Sequence, residues 1–297
     1  MKKIFVLFSF FLLFCLDLFG GGILSYKVKN YCIDYHGEEY RVIREFKKDG
    51  KNSLVAVDTS SLKSYILDSS FEKKKIGCRE SKFSRLLKLS ALAPYPLKND
   101  GIRSFRYGIY LTVDMCPSSK KGYERDFFKK LIEKFANPVP LTLFVTKRWI
   151  VKHPKEFSEL KRWDSEGKLA ITWGNHTAYH FYKRGLALEQ NFVLYRHEHF
   201  EDDVLELEKF LIQSGVVPSV FFRFPGLISN KKVVKKLKQL SLVAIGSDAW
   251  IAKKQFPKSG SIVLVHGNKN EPLGIKRFVN YMKKLEVDSF YPLSSAY

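Results

Sequence analysis

Five short apolar runs in the second two-thirds of the chain each end on a residue that can act as an acid, a base or a ligand. The residues that close these runs are Asp114, His176, Arg223, Asp248 and His266. Stretches with helical periodicity separate the runs, so the pattern predicts an α/β fold with a parallel sheet or barrel. Enzymes of this architecture build their sites where strands end and loops begin. The sequence therefore predicts an enzyme whose site gathers these strand ends.

Two histidines four residues apart, His176 and His180, give the sharpest local signal in the chain. On a helical turn such a pair faces one way, so both imidazoles can reach the same metal ion. Neutral imidazoles suit zinc and neighbouring transition metals. We predict that the pair binds a divalent metal, zinc above all. The spacing alone also fits two histidines that are exposed or that cap a helix.

Five short motifs resemble, in the same order, those of the polysaccharide deacetylases of the NodB homology type, carbohydrate esterase family 4. Residues 112–117, TVDMCP, are similar to T-F-D-D-G-P, and residues 176–180, HTAYH, match H-(S/T)-x-x-H. Residues 223–226 resemble R-x-P, residues 248–250 part of D-x-x-D-W, and residues 264–266 L-x-H. The resemblance covers roughly residues 105 to 297. It implies a distorted (β/α) barrel of the NodB type.

The resemblance implies metal-assisted hydrolysis of an amide bond. His176 and His180 would hold a divalent cation that polarises the acetamide carbonyl. Asp114 would take a proton from the attacking water as general base, and His266 would protonate the leaving amine. The implied substrate is an N-acetylated amino-sugar polymer, and peptidoglycan is the nearest such polymer for an exported protein of bacterial type.

Further site residues follow from the same resemblance. Arg223 would hold Asp114 through a bidentate pair that keeps the carboxylate ionised. Trp250 would form an apolar wall against the sugar or its acetyl group, and Asp248 and Pro225 are assigned to substrate binding. Asp248 and Trp250 stand too close together for the full fourth motif, so this loop differs from the family pattern. An ordinary ion pair for Arg223 and core packing for Trp250 are the alternatives.

The first motif departs from the family at Met115. The family has a second aspartate there as its third metal ligand, and a thioether is a poor ligand for a hard or borderline dication. Either Asp114 itself binds the metal, or Asp126 in the next predicted helix supplies the oxygen, or the site is weakened or lost. We predict a retained site in which Asp114 joins the two histidines. If the departure weakens a working site, an aspartate at position 115 should raise the affinity for metal.

Two other functions stay open at this point. One is a non-catalytic glycan-binding or cell-envelope assembly protein on a degenerate deacetylase fold. The other is a hydrolase of another acyl group, such as an O-acetyl ester or a non-sugar amide. Bound metal would separate the hydrolases from the binding protein, and the product, a free amine or a free hydroxyl, would separate the two hydrolases.

Residues 1–22 have the features of a secretory signal peptide. Two lysines after the first methionine precede an apolar run at residues 4–15, and three glycines follow at residues 20–22. The run is shorter than the roughly 20 apolar residues that a membrane-spanning helix needs. We therefore predict a periplasmic or secreted protein, and an uncleaved membrane anchor is the alternative.

The residues that follow predict a small β-rich domain of unknown role at 23–100 and a catalytic domain at 101–297. Short runs of β-branched and aromatic residues predict strands at 23–35, 39–46, 53–58 and 64–67. Cys32 and Cys78 lie in this region and could form a disulfide. Cys116 would then be free, either as a small residue in the place of the family's glycine or as a ligand beside the metal.

In the catalytic domain, apolar periodicity predicts five helices, at residues 123–135, 154–164, 199–213, 231–240 and 273–285. An additional strand is predicted at residues 141–145. The third of these helices carries a cluster of acids that resembles a metal site, made of Asp202, Asp203, Glu206 and Glu208. We interpret them as its solvated face, opposite an apolar side.

The charge balance is strongly basic, with 51 Lys and Arg against 30 Asp and Glu and a net charge of +21. Such a field favours anionic partners. We predict no nucleic-acid partner, because an exported chain meets little nucleic acid and RNA-binding signatures are absent. The anionic cell envelope is the partner within reach, although scattered lysine pairs also suit a solvated surface. No protein partner can be inferred.

Overall fold

The structure is a computed structural model that describes residues 22–70, 74–92, 99, 101–286 and 288–295. The predicted signal peptide lies outside these residues except for Gly22. Most of residues 93–100, which connect the two predicted domains, lie outside them as well. Within the described ranges, no helix is both long and apolar enough to cross a membrane.

The N-terminal region forms a five-stranded antiparallel sheet, so its predicted β-rich character is confirmed. The strands are β1 (Ile23–Tyr35), β2 (Glu38–Lys48), β3 (Lys51–Asp58), β4 (Ser64–Asp68) and β5 (Lys74–Ile76). They lie in the order β4-β3-β2-β1-β5 across the sheet. Gly37 and Gly50 adopt positive φ in the two tight turns that join the first three strands. Cys32 in β1 forms a disulfide with Cys78, which confirms the pairing that the sequence left open.

A helix that the sequence did not predict, α1 (Lys82–Ala91), follows this sheet. Ser81 and Ser84 form a capping box at its first turn, so the free backbone N–H groups are satisfied. Its buried face packs in one continuous apolar cluster with residues of the N-terminal sheet, such as Phe46, and with residues of the rest of the chain, such as Phe221. The N-terminal sheet and the following region therefore share a core.

The second sheet has seven parallel strands and is covered by helices, which confirms the predicted α/β fold. Its strands are β6 (Tyr110–Met115), β7 (Val139–Val145), β8 (Leu169–Asn175), β9 (Phe221–Phe222), β10 (Val243–Ala244), β11 (Ala249–Trp250) and β12 (Ile262–His266). They lie in the order β10-β9-β8-β7-β6-β12-β11, which gives a curled half-barrel. The central strand β6 is buried along its whole length, as parallel strands between two layers are.

Five helices of this region agree with the prediction to within three residues at each end. They are α2 (Arg125–Lys134), α4 (Pro154–Ser165), α5 (Phe200–Gln213), α6 (Lys231–Gln239) and α7 (Pro272–Met282). A further short helix, α3 (Lys147–Lys152), was not predicted. Thr146 caps it, since its hydroxyl accepts a hydrogen bond from the backbone N–H of Trp149 at 3.2 Å. The helices begin and end where the sequence supplies caps and apolar periodicity.

A buried ion pair connects the N-terminal sheet to α5. Nε and Nη2 of Arg44 donate to the two carboxylate oxygens of Glu208 at 2.7 and 2.8 Å. The hydroxyl of Tyr26 donates to the same carboxylate at 2.9 Å. The prediction that the acids of this helix lie on a solvated face is therefore wrong for Glu208. A charged group is tolerated in the interior when a partner compensates it, and Arg44 comes from a strand far away in the sequence.

Candidate active site

The carboxyl ends of the central strands bring the predicted catalytic and metal-binding residues together. β12 runs beside β6 so that His266 lies opposite Asp114. His176 and Arg223 follow directly after β8 and β9 at the same edge of the sheet. Asp114, His266, His176 and His180 line one open cavity of about 510 Å³, and the buried Arg223 contacts two of them from behind. The convergence follows from the parallel arrangement of the strands.

His176 and His180 lie on a loop, so the predicted helical turn is wrong. Thr177 and His180 have positive φ values of 67° and 43°, which do not occur inside a right-handed helix. Side chains hold the loop: the Thr177 hydroxyl accepts from the His180 N–H at 3.0 Å, and the Asp203 carboxylate accepts from the Tyr179 N–H at 2.9 Å. The centroids of the two imidazole rings are 4.8 Å apart, so the two side chains meet as expected.

The backbone of Arg223 sets the orientation of the His176 ring. Nδ1 of His176 lies 2.8 Å from the carbonyl oxygen of Arg223, which assigns the proton to Nδ1 and leaves a lone pair on Nε2. Nε2 lies 3.5 Å from Sγ of Cys116 and 3.9 Å from Oδ2 of Asp114. A carbonyl behind the ring is the usual means of orienting a histidine that binds a metal through its other nitrogen.

Asp114 is buried beside Arg223, as expected. Nη1 of Arg223 donates to Oδ1 of Asp114 at 2.7 Å and to the hydroxyl of Thr112 at 2.8 Å. Its other two nitrogens donate to backbone carbonyls just after β10, so the predicted bidentate contact with Asp114 is wrong. Burial alone would raise the pKa of Asp114, but the Arg223 guanidinium outweighs burial and holds this pKa below its ordinary value. The carboxylate is therefore ionised at neutral pH.

His266 is paired with an acid that the sequence analysis did not identify. Nδ1 of His266 lies 2.7 Å from Oε2 of Glu271, and the indole N–H of Trp250 donates to the same oxygen at 3.0 Å. Burial would lower the pKa of His266, but Cys116, Glu271 and Asp114 together raise it well above its ordinary value. The direction of this shift favours the protonated ring, which is the form that can act as an acid. Trp250 also lines the cavity, where its predicted contact with the substrate stays a prediction.

Met115, where the sequence departs from the family, lies on the core side of β6. Its side chain is fully buried in the same apolar cluster as Phe128 and lies against the backbone of Gly267. Alternate side chains of a strand face opposite sides, so Asp114 and Cys116 share the cavity side while Met115 does not. An aspartate at position 115 would enter an apolar core. The structure therefore argues against the expectation that it would raise the affinity for metal.

Cys116, His176 and His180 form a group of possible metal ligands. Each offers one atom, and these atoms lie within 4.8 Å of one another. Nε2 of His180 is buried without a hydrogen-bond partner, which costs free energy unless the atom binds something. Imidazole and thiolate donors fit a transition metal such as zinc. Asp114 does not belong to this group of described residues, and its predicted role as a metal ligand stays a prediction.

Three residues that the sequence analysis considered lie apart from this group. The carboxylate of Asp248 accepts a hydrogen bond from the backbone N–H of Ile262 at 2.9 Å and so ties its loop to β12. Pro225 is buried, and the two residues after it line the cavity in its place. Asp126 is exposed on α2 and lines a separate groove. The structure thus gives Asp248 and Pro225 structural positions and does not bring Asp126 to the metal-ligand group.

Comparison with known protein families agrees with this arrangement. Residues 106–245 match the family model described as polysaccharide deacetylase. This part of the chain is similar to the polysaccharide deacetylase family. The match includes Asp114, His176, His180 and Arg223, and it ends before His266. It confirms the resemblance to this family that the motifs predicted.

The chain is also similar to solved structures of carbohydrate esterases and of a chitin deacetylase. A family 4 carbohydrate esterase from Bacillus anthracis is 20% identical, with a TM-score of 0.48 over 74% of this chain and 94% of that chain. The chitin deacetylase of the fungal pathogen Colletotrichum lindemuthianum is 16% identical, with a TM-score of 0.44 over 66% and 89%. Bacillus subtilis PdaA, a family 4 carbohydrate esterase, is 19% identical, with a TM-score of 0.45 over 71% and 86%. Similarities at this level do not decide the substrate.

Glu271 is the residue of this cavity that sequence reasoning missed. It follows His266 by five positions, in the short loop before α7. The sequence did offer a signal for Glu271. The strand ends on His266, and an acid in the loop that follows this strand lies at the same edge of the sheet as the histidine. Asp203 was also misjudged, since its half-buried carboxylate holds the histidine loop and does not simply face solvent.

Proposed function

We propose that this protein is an exported, metal-dependent N-deacetylase of an N-acetylated amino-sugar polymer. The observation that carries the proposal is the placement of Asp114 and His266 in one open cavity with His176 and His180. The pKa of Asp114 is lowered there and the pKa of His266 is raised, as a base and an acid require. A general base, a general acid and ligands for a Lewis acid are what hydrolysis of an unreactive amide requires near neutral pH.

The donor set of the cavity supports the metal dependence of this proposal. The imidazoles of His176 and His180, together with a nearby third donor, would hold the cation. When bound, a divalent cation such as zinc supplies Lewis acidity that polarises the acyl carbonyl. The unpartnered Nε2 of His180 is the atom whose burial is best explained by this role.

The remaining residues of the cavity divide the proton transfers between them. Asp114 accepts a proton from the attacking water, and Arg223 keeps it ionised and in place. His266 gives its proton to the amide nitrogen, because an amine is a poor leaving group without that proton. Glu271 lies 2.7 Å from Nδ1 of the His266 ring and stabilises its charged form.

The compartment and the substrate class rest on features outside the cavity. The disulfide between Cys32 and Cys78 supports an oxidising compartment, in agreement with the signal peptide predicted at residues 1–22. The net charge of +21 suits a protein that works on the anionic cell envelope. Peptidoglycan is therefore the polymer that we propose first.

Acetate release from an N-acetylglucosamine oligomer tests this function. Asp114→Asn and His266→Ala should each reduce the rate by at least about 100-fold, the lower end of the effect of a positioned base or acid. His199→Ala is the matched control, because this exposed histidine lies outside the cavity and should leave the rate unchanged. Tight glycan binding without acetate release under any divalent metal would replace the proposal with a glycan-binding protein. Acetate release from an O-acetylated oligosaccharide, without release from the N-acetylglucosamine oligomer, would indicate an esterase.

A further inference from the structure

We infer that Cys116 is the third protein ligand of the metal, as a thiolate that takes over the role of the family's second aspartate, whose position Met115 occupies here. The inference rests on the metal-dependent function proposed above, because it names the ligand set of the same site. It assigns the metal to Cys116, His176 and His180, and it releases Asp114 from metal binding so that it can serve as the base.

The separation between Cys116 and His176 agrees with joint binding of one ion. Zinc binds sulfur at about 2.3 Å and imidazole nitrogen at about 2.0–2.1 Å, so two such ligands of a tetrahedral ion lie about 3.5 Å apart. Sγ of Cys116 and Nε2 of His176 are 3.5 Å apart in the structure. The third donor, on His180, lies within 4.8 Å of both.

The position of Cys116 is fixed by hydrogen bonds of the backbone around it. The side-chain amide of Asn268 donates to the carbonyl of Cys116 at 2.7 Å. The hydroxyl of Thr146 donates to the carbonyl of Met115 at 3.0 Å. Since side chains alternate along a strand, this backbone turns Met115 to the core and Cys116 to the cavity. The thiol is therefore held toward the two histidines before any ion binds.

No other cysteine among the described residues can take this thiol as a partner. Cys32 and Cys78 are joined to each other, and Cys116 is the free cysteine of the described ranges. A residue that only filled the space of a glycine would not need to face two imidazoles, one of which has an unpartnered nitrogen. The position and the donor set together point to a ligand.

The proposed ligand set has a consequence for metal preference. A thiolate favours zinc and cobalt over harder cations such as magnesium and manganese, which prefer oxygen ligands. Replacement of the family's carboxylate by Cys116 should therefore narrow the range of metals that the site accepts.

The absorption spectrum of the cobalt-loaded full chain tests the inference directly. Unmutated protein titrated with Co²⁺ should show a sulfur-to-cobalt charge-transfer band in the near ultraviolet. Cys116→Ser should abolish this band and weaken Co²⁺ binding by more than the about 10- to 100-fold that loss of an outer-shell partner causes. His199→Ala is the control, because this exposed histidine lies outside the cavity and its loss should leave the band intact.

The outcomes separate this inference from the function that underlies it. The unmutated protein could bind stoichiometric cobalt without showing the charge-transfer band, and His176→Ala could abolish that binding. This result would overturn the thiolate ligand but would still support a metal enzyme whose metal is held by histidines. A charge-transfer band that persists in Cys116→Ser would also overturn it. Failure of the unmutated protein to bind either Co²⁺ or Zn²⁺ would refute both the ligand assignment and the metal-dependent function.

Discussion

Glu208→Gln should strongly destabilise the protein, because it breaks the buried pair between α5 and the N-terminal sheet. The side chains of Arg44 and Glu208 are 0% and 3% exposed, so water cannot compensate the charge that remains. Arg44 would keep its hydrogen bonds to the backbone carbonyls of Ile43 and Leu240, which carry no charge. The guanidinium would be left in the interior without a carboxylate.

The expected loss of stability follows from the cost of an uncompensated buried charge. Removing one partner of a buried ion pair costs about 3–5 kcal/mol. In a domain of 150–250 residues, 1 kcal/mol corresponds to about 2–4 °C in Tm, so Tm should fall by roughly 6–20 °C. Glu206→Gln is the matched control: Glu206 lies on the same helix, but its pairs with Lys147 and Lys209 are partly exposed and worth at most about 1 kcal/mol.

Urea unfolding followed by circular dichroism measures both variants under the same conditions. The double variant Arg44→Met with Glu208→Leu should lose less stability than Glu208→Gln, because replacing both charges by apolar groups removes the uncompensated charge. Equal and small effects of Glu208→Gln and Glu206→Gln would refute the buried pair and restore the solvated face that the sequence predicted.

Two further predictions concern the site and the core beside it. Glu271→Gln removes a carboxylate that raises the pKa of His266, and activity needs the protonated His266 ring. The alkaline limb of the pH–rate profile should therefore shift to lower pH. Asp126→Asn is the control and should leave the profile unchanged. An unmoved alkaline limb would show that Glu271 does not act through His266. Met115→Asp should lower the free energy of unfolding by at least about 2 kcal/mol without raising zinc affinity. Met115→Leu is the control and should lower the free energy of unfolding by less than about 1.5 kcal/mol. Tighter zinc binding by Met115→Asp would contradict the prediction, because it would place residue 115 at the cavity.

The features that the sequence predicted well depend on local pattern and on strand direction. Apolar runs that end on Asp114, His176, Arg223 and His266 placed these residues at one edge of a parallel sheet, where the structure has them. The amphipathic helices were predicted for the same reason, because α5 and its neighbours bury one face each. Both signals can be read within a window of a few residues.

The features that the sequence did not predict depend on partners far away in the chain. Glu208 is buried because Arg44 lies beside it, 164 positions earlier. The histidine loop departs from a helix because Asp203 holds its backbone and Thr177 takes a positive φ. Glu271 reaches His266 only through the path of the loop between them. None of these contacts leaves a periodic signal in the sequence.

Parallel measurement of acetate and free amine tests the central claim most directly. Zinc-loaded protein incubated with an N-acetylglucosamine oligomer should release the two in equal amounts, and Asp114→Asn, with its metal content unchanged, should release at least about 100-fold less of each. If the unmutated protein carries stoichiometric zinc and binds the oligomer but releases neither product, the assignment of Asp114 and His266 as base and acid is wrong.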